Sequence, residues 1–387
     1  MTMPRWGFLL ATAVLLTAPA APARAAEPAA SWSATWGTAM SQATTGFADW
    51  PSFTVRHFTR VSTGGTSVRI RLSNVYGDRA AVFGRVTLAP ATSTTPRRPA
   101  SPPKPLTFGG RTAVSVPAGG TALSDPLPHP VAGGTDLVVS MYLATPPARV
   151  TQHRAANANN HLAPGDQSGA MDPAVFTRST TAWYFLNDIE VNRATQVVVA
   201  FGDSITDGSG STPNTNRRWP DRLAQRHPGL GVVNAGISGT KVLADNPGYG
   251  PSGVSRAARD LSRTGATTAI LLLGTNDIRQ DDPPTLARLW RGYEHIVAAA
   301  HARGIRVLGG TITAFGGSAR YTPAREALRQ QVNQRIRSGQ LFDGVVDFDA
   351  ATRDPATPVR LRASFHSGDW LHPNDAGYQA MAAAVRL

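Results

Sequence analysis

The sequence predicts an α/β protein in which a doubly wound parallel sheet follows a β-rich domain of sandwich or jelly-roll type. Two observations predict this arrangement. Residues 31–191 alternate apolar and polar positions with a period of two and show no helical period, which is typical of antiparallel strands. After Arg193, short β-branched runs alternate with helical patterns, as in a parallel sheet whose crossover helices form layers on both faces.

The first 25 residues have the pattern of a secretory signal peptide. Residues 1–5 are basic, residues 6–18 are apolar but too short to span a bilayer, and Ala23-Arg24-Ala25 is an Ala-x-Ala cleavage site. No later stretch reaches about 18 uninterrupted apolar residues, so stable membrane insertion is not expected. We therefore expect an extracellular protein with a β-rich accessory domain at 26–193 and a second domain at 194–387.

Composition excludes several classes of function. The chain has no cysteine, which rules out disulfides, thiolate catalysis and cysteine-ligated zinc. Its formal net charge is +13, but the arginines are scattered and no basic run exceeds a pair such as Arg97-Arg98. Without a basic cluster a nucleic-acid partner is disfavoured, whereas attraction to acidic polymer surfaces fits the charge.

Four segments of the β-rich domain are strand candidates, separated by Gly-Gly and proline-containing turns. They are residues 67–72 (SVRIRL), 81–88, 112–116 and 136–143. The proline-rich residues 90–105 predict a surface loop. Residues 151–182, which carry His153 and His161, have an irregular pattern. They are either a plain connection or a binding loop that reaches the neighbouring domain.

Between residues 194 and 387, five strand-like runs alternate with five helical patterns. The strands are predicted at 197–201, 231–234, 268–273, 306–310 and 344–348. The helices are predicted at 219–227, 253–262, 285–303, 323–338 and 374–386. The helix at 285–303 is the clearest, because its apolar side chains form one stripe and Thr285 is placed to cap its first turn.

Small polar signatures follow the first three predicted strands, and a fourth lies in the loop after the fifth. Because the carboxyl ends of parallel strands lie along one edge of a sheet, these groups can converge. The four blocks are Gly202-Asp203-Ser204-Ile205-Thr206, Asn234-Ala235-Gly236-Ile237-Ser238-Gly239, Gly274-Thr275-Asn276-Asp277 and Asp369-Trp370-Leu371-His372-Pro373.

Together, in this order, the four blocks resemble those of the SGNH (GDSL-type) serine hydrolases over roughly residues 196–387, with Gly-Asp-Ser-Ile in place of the commoner GDSL. The β-rich half resembles the domain that precedes the hydrolase domain in some secreted, carbohydrate-esterase-like members. The resemblance implies a three-layer, flavodoxin-like catalytic domain and an esterase that acts through an acyl-serine intermediate without a cofactor.

The resemblance and the requirements of serine chemistry assign the same roles. Ser204 is the expected nucleophile, His372 the base and later the acid, and Asp369 the group that orients the imidazole. In family members the oxyanion hole uses the backbone N–H of the nucleophile, a glycine N–H and an asparagine side chain. The matching positions here are Ser204, Gly239 and Asn276.

Structural interpretations compete with these assignments. His372 could be an ordered loop histidine, while Asp203 and Asp277 are expected to order turns rather than react. His366, Asp369 and His372 could be imagined as metal ligands, but their spacing does not place them on one helix face, and the serine mechanism needs no metal.

Other catalytic classes match the sequence less well. No G-x-S-x-G motif occurs, which disfavours an α/β-hydrolase. Asp347 and Asp349 follow a predicted strand, and alternation would point them to opposite faces, which disfavours a paired-carboxylate glycosidase.

Substrate preference follows from export and from the resemblance. We expect removal of acetyl or other short acyl groups from polysaccharides such as xylan or pectin, with small esters as further substrates. A lipase or lysophospholipase acting on lipid esters is the alternative. A polysaccharide-binding protein with a vestigial hydrolase domain is the hypothesis from a different class, and the sequence leaves the oligomeric state open.

Overall fold

The computed structural model describes residues 1–2, 31–47, 49–93 and 95–387. The signal-peptide prediction therefore lies outside the described residues except at its first two positions, and it stays a prediction. In the described part of the chain, no helix has both the length and the apolar character needed to cross a membrane.

The segment before Arg193 consists of strands and loops, with one short 3-10 turn at Pro173–Val175. The first eight strands are β1 (Ser33–Gly37), β2 (Gln42–Thr44), β3 (Phe53–Arg60), β4 (Gly65–Ser73), β5 (Ala81–Pro90), β6 (Lys104–Pro105), β7 (Val114–Val116) and β8 (Thr121–Leu123). The next seven are β9 (Leu127–Val131), β10 (Asp136–Thr145), β11 (Val150–His153), β12 (Asn160–Pro164), β13 (Arg178–Thr180), β14 (Trp183–Tyr184) and β15 (Leu186–Val191).

These strands form three antiparallel sheets. One contains β1-β15-β4-β8 with β9 beside β4, a second contains β13-β12-β3-β10-β5-β6 with β7 beside β5, and the third is β14-β11-β2. The two larger sheets contribute to one hydrophobic core that includes Phe53, Ile70, Phe83, Met141 and Ile189. The antiparallel β-structure before residue 193 agrees with the sequence pattern, whereas its assignment as a sandwich or jelly roll stays a prediction.

Strands cover all four segments predicted in this part of the chain, but the irregular pattern predicted for residues 151–182 is wrong. That segment contains β12 and β13 and most of β11. Strand β11 pairs with β14 on one side and β12 with β13, but on the other side their partners are β2 and β3, which lie far earlier in the chain. Pairing over such distances stabilises strands whose own sequence has no clear alternation.

After residue 193 strands and helices alternate. The strands are β16 (Val197–Gly202), β17 (Gly231–Gly236), β18 (Ala266–Leu272), β19 (Arg306–Gly310) and β20 (Gly344–Val346). The helices are α1 (Ser204–Asp207), α2 (Trp219–Arg226), α3 (Gly253–Asp260), α4 (Thr275–Arg279), α5 (Leu286–His301), α6 (Pro323–Arg337), α7 (Phe348–Thr352) and α8 (Asp375–Ala384).

All five strands are parallel, in the order β17-β16-β18-β19-β20. Side chains alternate across β16: Val199 and Phe201 share a core with α3, α5 and α6, whereas Val198 and Ala200 share another with α2 and α8. Helices therefore cover both faces, and the predicted doubly wound parallel sheet is confirmed.

Three short helices have no counterpart in the sequence prediction. The helices α1, α4 and α7 contain only four or five residues each, too few to show a helical period. The third corrects the interpretation of Asp347 and Asp349. Strand β20 ends before them, and Asp347 caps α7, so strand alternation does not describe their side chains.

The β-rich region and the parallel sheet are in direct contact, and Ser31–Leu387 form one compact unit. Thr38 pairs with Asn234 in a parallel bridge just after β1, and the N–H of Ala34 donates to the Thr264 carbonyl over 2.9 Å. The division into domains at 26–193 and 194–387 stays a prediction. The contacts matter for function because several lie close to the end of β16.

Candidate active site

Ser204 lies at the carboxyl end of β16, the strand between β17 and β18, and begins α1. The preceding Asp203 caps this helix by accepting the N–H of Ile205 over 3.0 Å. A Cβ at Gly202 would collide with the Thr206 hydroxyl and the Leu272 carbonyl, so the tight turn from strand to helix requires glycine here. This turn presents the half-buried Ser204 at the sheet edge.

The structure brings together the three residues that the sequence predicts as a catalytic triad. Ser204 Oγ lies 2.9 Å from His372 Nε2, although 168 positions separate the residues. His372 Nδ1 lies 2.6 Å from Asp369 Oδ2. The imidazole thus lies between a hydroxyl and a carboxylate, the geometry that allows a histidine to take a proton from serine.

Asp369 also orders the turn that carries His372. Its Oδ1 accepts the backbone N–H groups of Leu371 and His372, each over 2.9 Å. Partial burial raises the pKa of the Asp369 carboxyl, but the hydrogen bonds from His372 and Leu371 outweigh this and hold the pKa well below its usual range. The group therefore stays ionised beside the imidazole at neutral pH.

The loop before α8 is held by its helix cap and by a contact to the segment after α1. Asn374 caps α8, and its Nδ2 donates to the carbonyls of Ser364 and His366. The Tyr378 hydroxyl donates to the Ser209 carbonyl over 2.7 Å. These bonds fix the His372 turn relative to the turn that presents Ser204.

The two other predicted oxyanion positions lie beyond the strands on either side of β16. Gly239 follows β17 and has φ +80°, and a Cβ there would collide with the Tyr249 ring. Asn276 lies in α4 after β18, and its Nδ2 donates to the Thr240 carbonyl over 2.9 Å. Asn276 is therefore tied to the loop that contains Gly239. No described residue accepts the backbone N–H of Ser204 or Gly239.

Two buried carboxyls lie below this edge. Burial raises the pKa of Asp203 to about 6, and its Oδ2 has no partner among the described residues. Burial likewise raises the pKa of Asp277 to about 6, although its oxygens accept the N–H groups of Val242 and Leu243. Each carboxyl bonds to backbone N–H groups of a turn, which agrees with the expectation that both order turns.

The structure adds a group that the sequence interpretation did not place at the site. Asp207, at the end of α1, contacts His153 of β11 through one carboxylate oxygen and Ser238 through the other. The sequence indicated only that residues 151–182, which include His153, could form a binding loop that reaches the neighbouring domain. Nothing local indicated which residue it would meet.

Two aromatic side chains near the site were also missed as functional candidates. Tyr249 is 42% exposed, and its ring lies against Gly239. Trp370 lies within the Asp369–His372 turn at φ +57°, a conformation that is unfavourable for a bulky residue. Backbone strain of this kind concentrates at functional sites.

The metal-site alternative receives no geometric support. The His366 ring stacks on Trp370 with centroids 3.9 Å apart, and its Nδ1 accepts the Gly368 N–H. Among the residues that the structure describes, no three histidine, aspartate or glutamate side chains are grouped as metal ligands.

A cavity of about 510 Å³ lies away from this chemistry. Its lining includes Trp36 and Trp183 of the β-rich region together with Arg218 and Asp221 at the start of α2. None of Ser204, Asp369 and His372 lines it. At the candidate triad, the side chains of His372 and Asp369 are 22% and 46% exposed.

The family comparison agrees with the geometry. Residues 200–380 match the GDSL-like Lipase/Acylhydrolase family. These residues form a GDSL-like lipase/acylhydrolase domain. The chain is accordingly an acylhydrolase, an enzyme that hydrolyses ester bonds, and the predicted resemblance is confirmed. The matched segment of this acylhydrolase begins within β16 and contains all four polar blocks.

Solved structures similar to the acylhydrolase cover 49% of its chain. They include the native aryl esterase of M. smegmatis, with 18% identity over 96% of that chain and a TM-score of 0.41. A carbohydrate acetylesterase from Sinorhizobium meliloti has 18% identity over 96% of its chain and a TM-score of 0.39. The lipase/acylhydrolase from Enterococcus faecalis has 22% identity over 93% of its chain and a TM-score of 0.40. A comparison with curated protein sequences gives no match.

Proposed function

We propose that the acylhydrolase uses Ser204 as its nucleophile, His372 as the base and Asp369 as the orienting carboxylate. The observation that carries this proposal is the 2.9 Å distance between Ser204 Oγ and His372 Nε2. Because Asp369 is an acceptor, His372 Nδ1 must donate to it, which leaves Nε2 unprotonated and able to accept the serine proton.

In the proposed reaction, Ser204 Oγ attacks the ester carbonyl carbon while its proton moves to His372 Nε2. The carbonyl oxygen becomes an oxyanion, for which the N–H groups of Ser204 and Gly239 and the Asn276 amide are the proposed donors. His372 then gives its proton to the leaving alcohol as the carbon–oxygen bond breaks. A water molecule, activated in the same way, hydrolyses the acyl-serine and restores the free enzyme.

We further propose that the substrates are acetyl or other short acyl esters of polysaccharides. The side chain of Tyr249 supports this choice, because it is 42% exposed beside Gly239 and so offers aromatic surface at the site that a sugar ring can contact. A long acyl chain requires a deep apolar pocket. Neither the cavity of about 510 Å³ nor the one of about 400 Å³ supplies such a pocket to the triad, because no triad residue lines either of them.

The cellular setting is part of the same proposal. We propose an exported protein on the basis of the signal-peptide pattern at residues 1–25 and of the expected polymeric substrate. In this interpretation residues 26–193 are an accessory domain that accompanies the catalytic domain at 194–387.

The experiment compares wild type, Ser204→Ala and Ser115→Ala, the last being an exposed serine on β7 that serves as a control. Ser204→Ala should lose hydrolysis of p-nitrophenyl acetate by about 10⁶-fold in kcat and should not react with a fluorophosphonate probe. Wild type and Ser115→Ala should hydrolyse p-nitrophenyl acetate and should react with the fluorophosphonate probe. Full turnover by Ser204→Ala would remove the serine from its proposed role.

A substrate panel addresses the finer claim. Acid release from acetylated xylan, acetylated pectin, acetylated chitin oligomers and lysophospholipid should be greatest with the acetylated polysaccharides. A preference for lysophospholipid would instead identify a lipid esterase with the same triad. If the fluorophosphonate probe failed to label wild type, a vestigial hydrolase domain in a polysaccharide-binding protein would be the better description.

A further inference from the structure

A second histidine–aspartate pair lies immediately behind the candidate nucleophile. His153 ends β11 in the β-rich region, and Asp207 ends α1, the helix that begins with Ser204. His153 Nε2 lies 3.0 Å from Asp207 Oδ1, and each side chain is only 2% exposed. This buried contact links the β-rich region to the helix that carries the serine.

The surroundings of His153 determine its charge. Its Nδ1 lies 2.8 Å from the Ala39 carbonyl, and its Nε2 faces both Asp207 Oδ1 and, at 3.2 Å, the Ala155 carbonyl. All these partners are acceptors, and a neutral imidazole has only one N–H. Both nitrogens make hydrogen bonds only if His153 is an imidazolium.

The electrostatic balance agrees with this charge. Burial lowers the pKa of His153, but the Asp207 charge and the hydrogen bonds to Asp207, Ala39 and Ala155 outweigh it and raise the pKa. The Asp207 carboxylate also has Arg218 within its field, but that guanidinium is already paired with Asp221 over 2.8 Å. His153 is therefore the cation that directly compensates Asp207.

The other oxygen of Asp207 holds the loop after β17. Asp207 Oδ2 accepts the backbone N–H of Ser238 over 2.9 Å and its hydroxyl over 2.6 Å. Ser238 directly precedes Gly239, whose N–H is a proposed oxyanion donor. The peptide between these two residues supplies that N–H, so the position of Ser238 governs where it points.

We propose that His153 is a positioning residue for the oxyanion hole. It holds the Asp207 carboxylate in place through the Nε2–Oδ1 contact, Asp207 fixes Ser238, and Ser238 sets the orientation of the Gly239 N–H. The inference rests on the proposed function, in which Gly239 donates to the oxyanion. It assigns to the β-rich region a contribution to catalysis rather than to substrate binding alone.

A second clamp acts on the same loop and limits the expected effect. Asn246 Nδ2 donates to the Gly239 carbonyl over 2.7 Å, so the glycine keeps one anchor when Ser238 is released. Loss of the His153 contact should therefore cost less than complete loss of an oxyanion donor, which typically lowers kcat by about 10²–10³-fold.

Two substitutions at one position test the inference. His153→Gln keeps an amide nitrogen near the place of Nε2 and can still donate to Asp207. His153→Asn keeps a donor near Nδ1 for the Ala39 carbonyl but cannot reach Asp207. The assay is steady-state hydrolysis of p-nitrophenyl acetate, with kcat expressed per serine titrated by a fluorophosphonate.

His153→Asn should lower kcat by about 10–100-fold with KM changed less than about threefold, because an oxyanion donor acts mainly in the transition state. His153→Gln should recover kcat to within about threefold of wild type. The control is His161→Asn, a histidine of β12 whose Nδ1 lies 3.4 Å from Ser179 Oγ, away from Asp207, and which should behave as wild type. A merely structural role would change the titratable fraction, not kcat per titrated serine.

Equal kcat in wild type and His153→Asn would overturn the inference, as would an equal loss in the Asn and Gln variants. If His153→Asn yields no titratable serine, Ser238→Ala replaces it. That variant removes the hydroxyl bond to Asp207 and should lower kcat about 3–10-fold at unchanged KM, and a wild-type kcat would again reject the inference. Turnover by Ser204→Ala would instead reject the proposed function, so the two failures are distinguishable.

Discussion

Two histidine–aspartate pairs approach the turn that carries Ser204, and their surroundings are opposite. The pair His372–Asp369 lies in a loop, with side chains 22% and 46% exposed. The pair His153–Asp207 is buried between the β-rich region and α1, with both side chains 2% exposed. The distances within the pairs are similar, at 2.6 Å and 3.0 Å.

Each histidine has a carboxylate on one ring nitrogen, so the group on the other nitrogen determines whether the imidazole can exchange a proton. His372 has a hydroxyl on one nitrogen and a carboxylate on the other, so it can alternate between base and acid. Both nitrogens of His153 face acceptors, which fixes it as a cation. The exposed pair is suited to move a proton and the buried pair to hold a loop.

The largest expected effect is a loss of kcat on substitution of Asp369, the carboxylate of the exposed pair. Asp369→Asn should lower kcat by about 10⁴-fold, since loss of the orienting carboxylate leaves the imidazole in the wrong tautomer. The free energy of unfolding should change by only about 0–1 kcal/mol, because the carboxylate is half exposed. Hydrolysis of p-nitrophenyl acetate and urea unfolding measure the two quantities.

For His153→Asn, the same assays should show a large loss of stability and a smaller loss of kcat. Removal of one partner of a buried ion pair typically lowers the free energy of unfolding by about 3–5 kcal/mol. Its effect on kcat should be far smaller than that of Asp369→Asn. If both variants lost activity and stability in the same proportion, the distinction between the pairs would be wrong.

An intermediate effect on kcat is expected at Asn276, the proposed oxyanion donor whose side chain bonds to the loop that contains Ser238 and Gly239. Asn276→Ala should lower kcat by about 10²–10³-fold with little change in KM, because the amide donates to charge that develops in the transition state. The matched control is Asn159→Ala, an exposed asparagine of the β-rich region. A loss below about threefold would exclude Asn276 from the oxyanion hole.

The smallest effect concerns the pH dependence of stability. The folded state raises the pKa of His153 above its ordinary value of about 6.5, so the folded chain holds the proton more tightly than the unfolded chain. The resulting stabilisation is complete below pH about 6.5 and is lost as the pH rises through the raised pKa. The slope from this group is at most about 1.4 kcal/mol per pH unit.

Urea unfolding of wild type and His153→Gln between pH 6 and 9 measures the contribution of His153 protonation to the free energy of unfolding. The difference in free energy of unfolding between wild type and His153→Gln separates the effect of His153 from that of other groups that titrate in the same range. This difference should shrink as the pH rises. A difference that stays constant across the range would show that His153 does not carry the proton in the folded state.

Much of the parallel sheet could be predicted because its strands are short runs of buried, β-branched residues between helical patterns. Val197–Gly202 and Ala266–Leu272 are examples, and Thr285 caps α5 as expected. The strands at 150–164 have no clear alternation of their own, and each pairs on one side with a strand far earlier in the chain, so no local pattern predicts them. The helix at Phe348–Thr352 was missed because it is too short to show a period.

The candidate site residues could be read from the sequence, because they all lie in short polar motifs that follow predicted strands: Ser204, Gly239, Asn276, Asp369 and His372. Their convergence follows from the parallel topology, which places those strand ends along one edge. The partner of His153 follows from the tertiary fold alone. Its burial and its charge depend on Ala39 and Asp207, which lie 114 and 54 positions away in the chain, and no local pattern encodes those contacts.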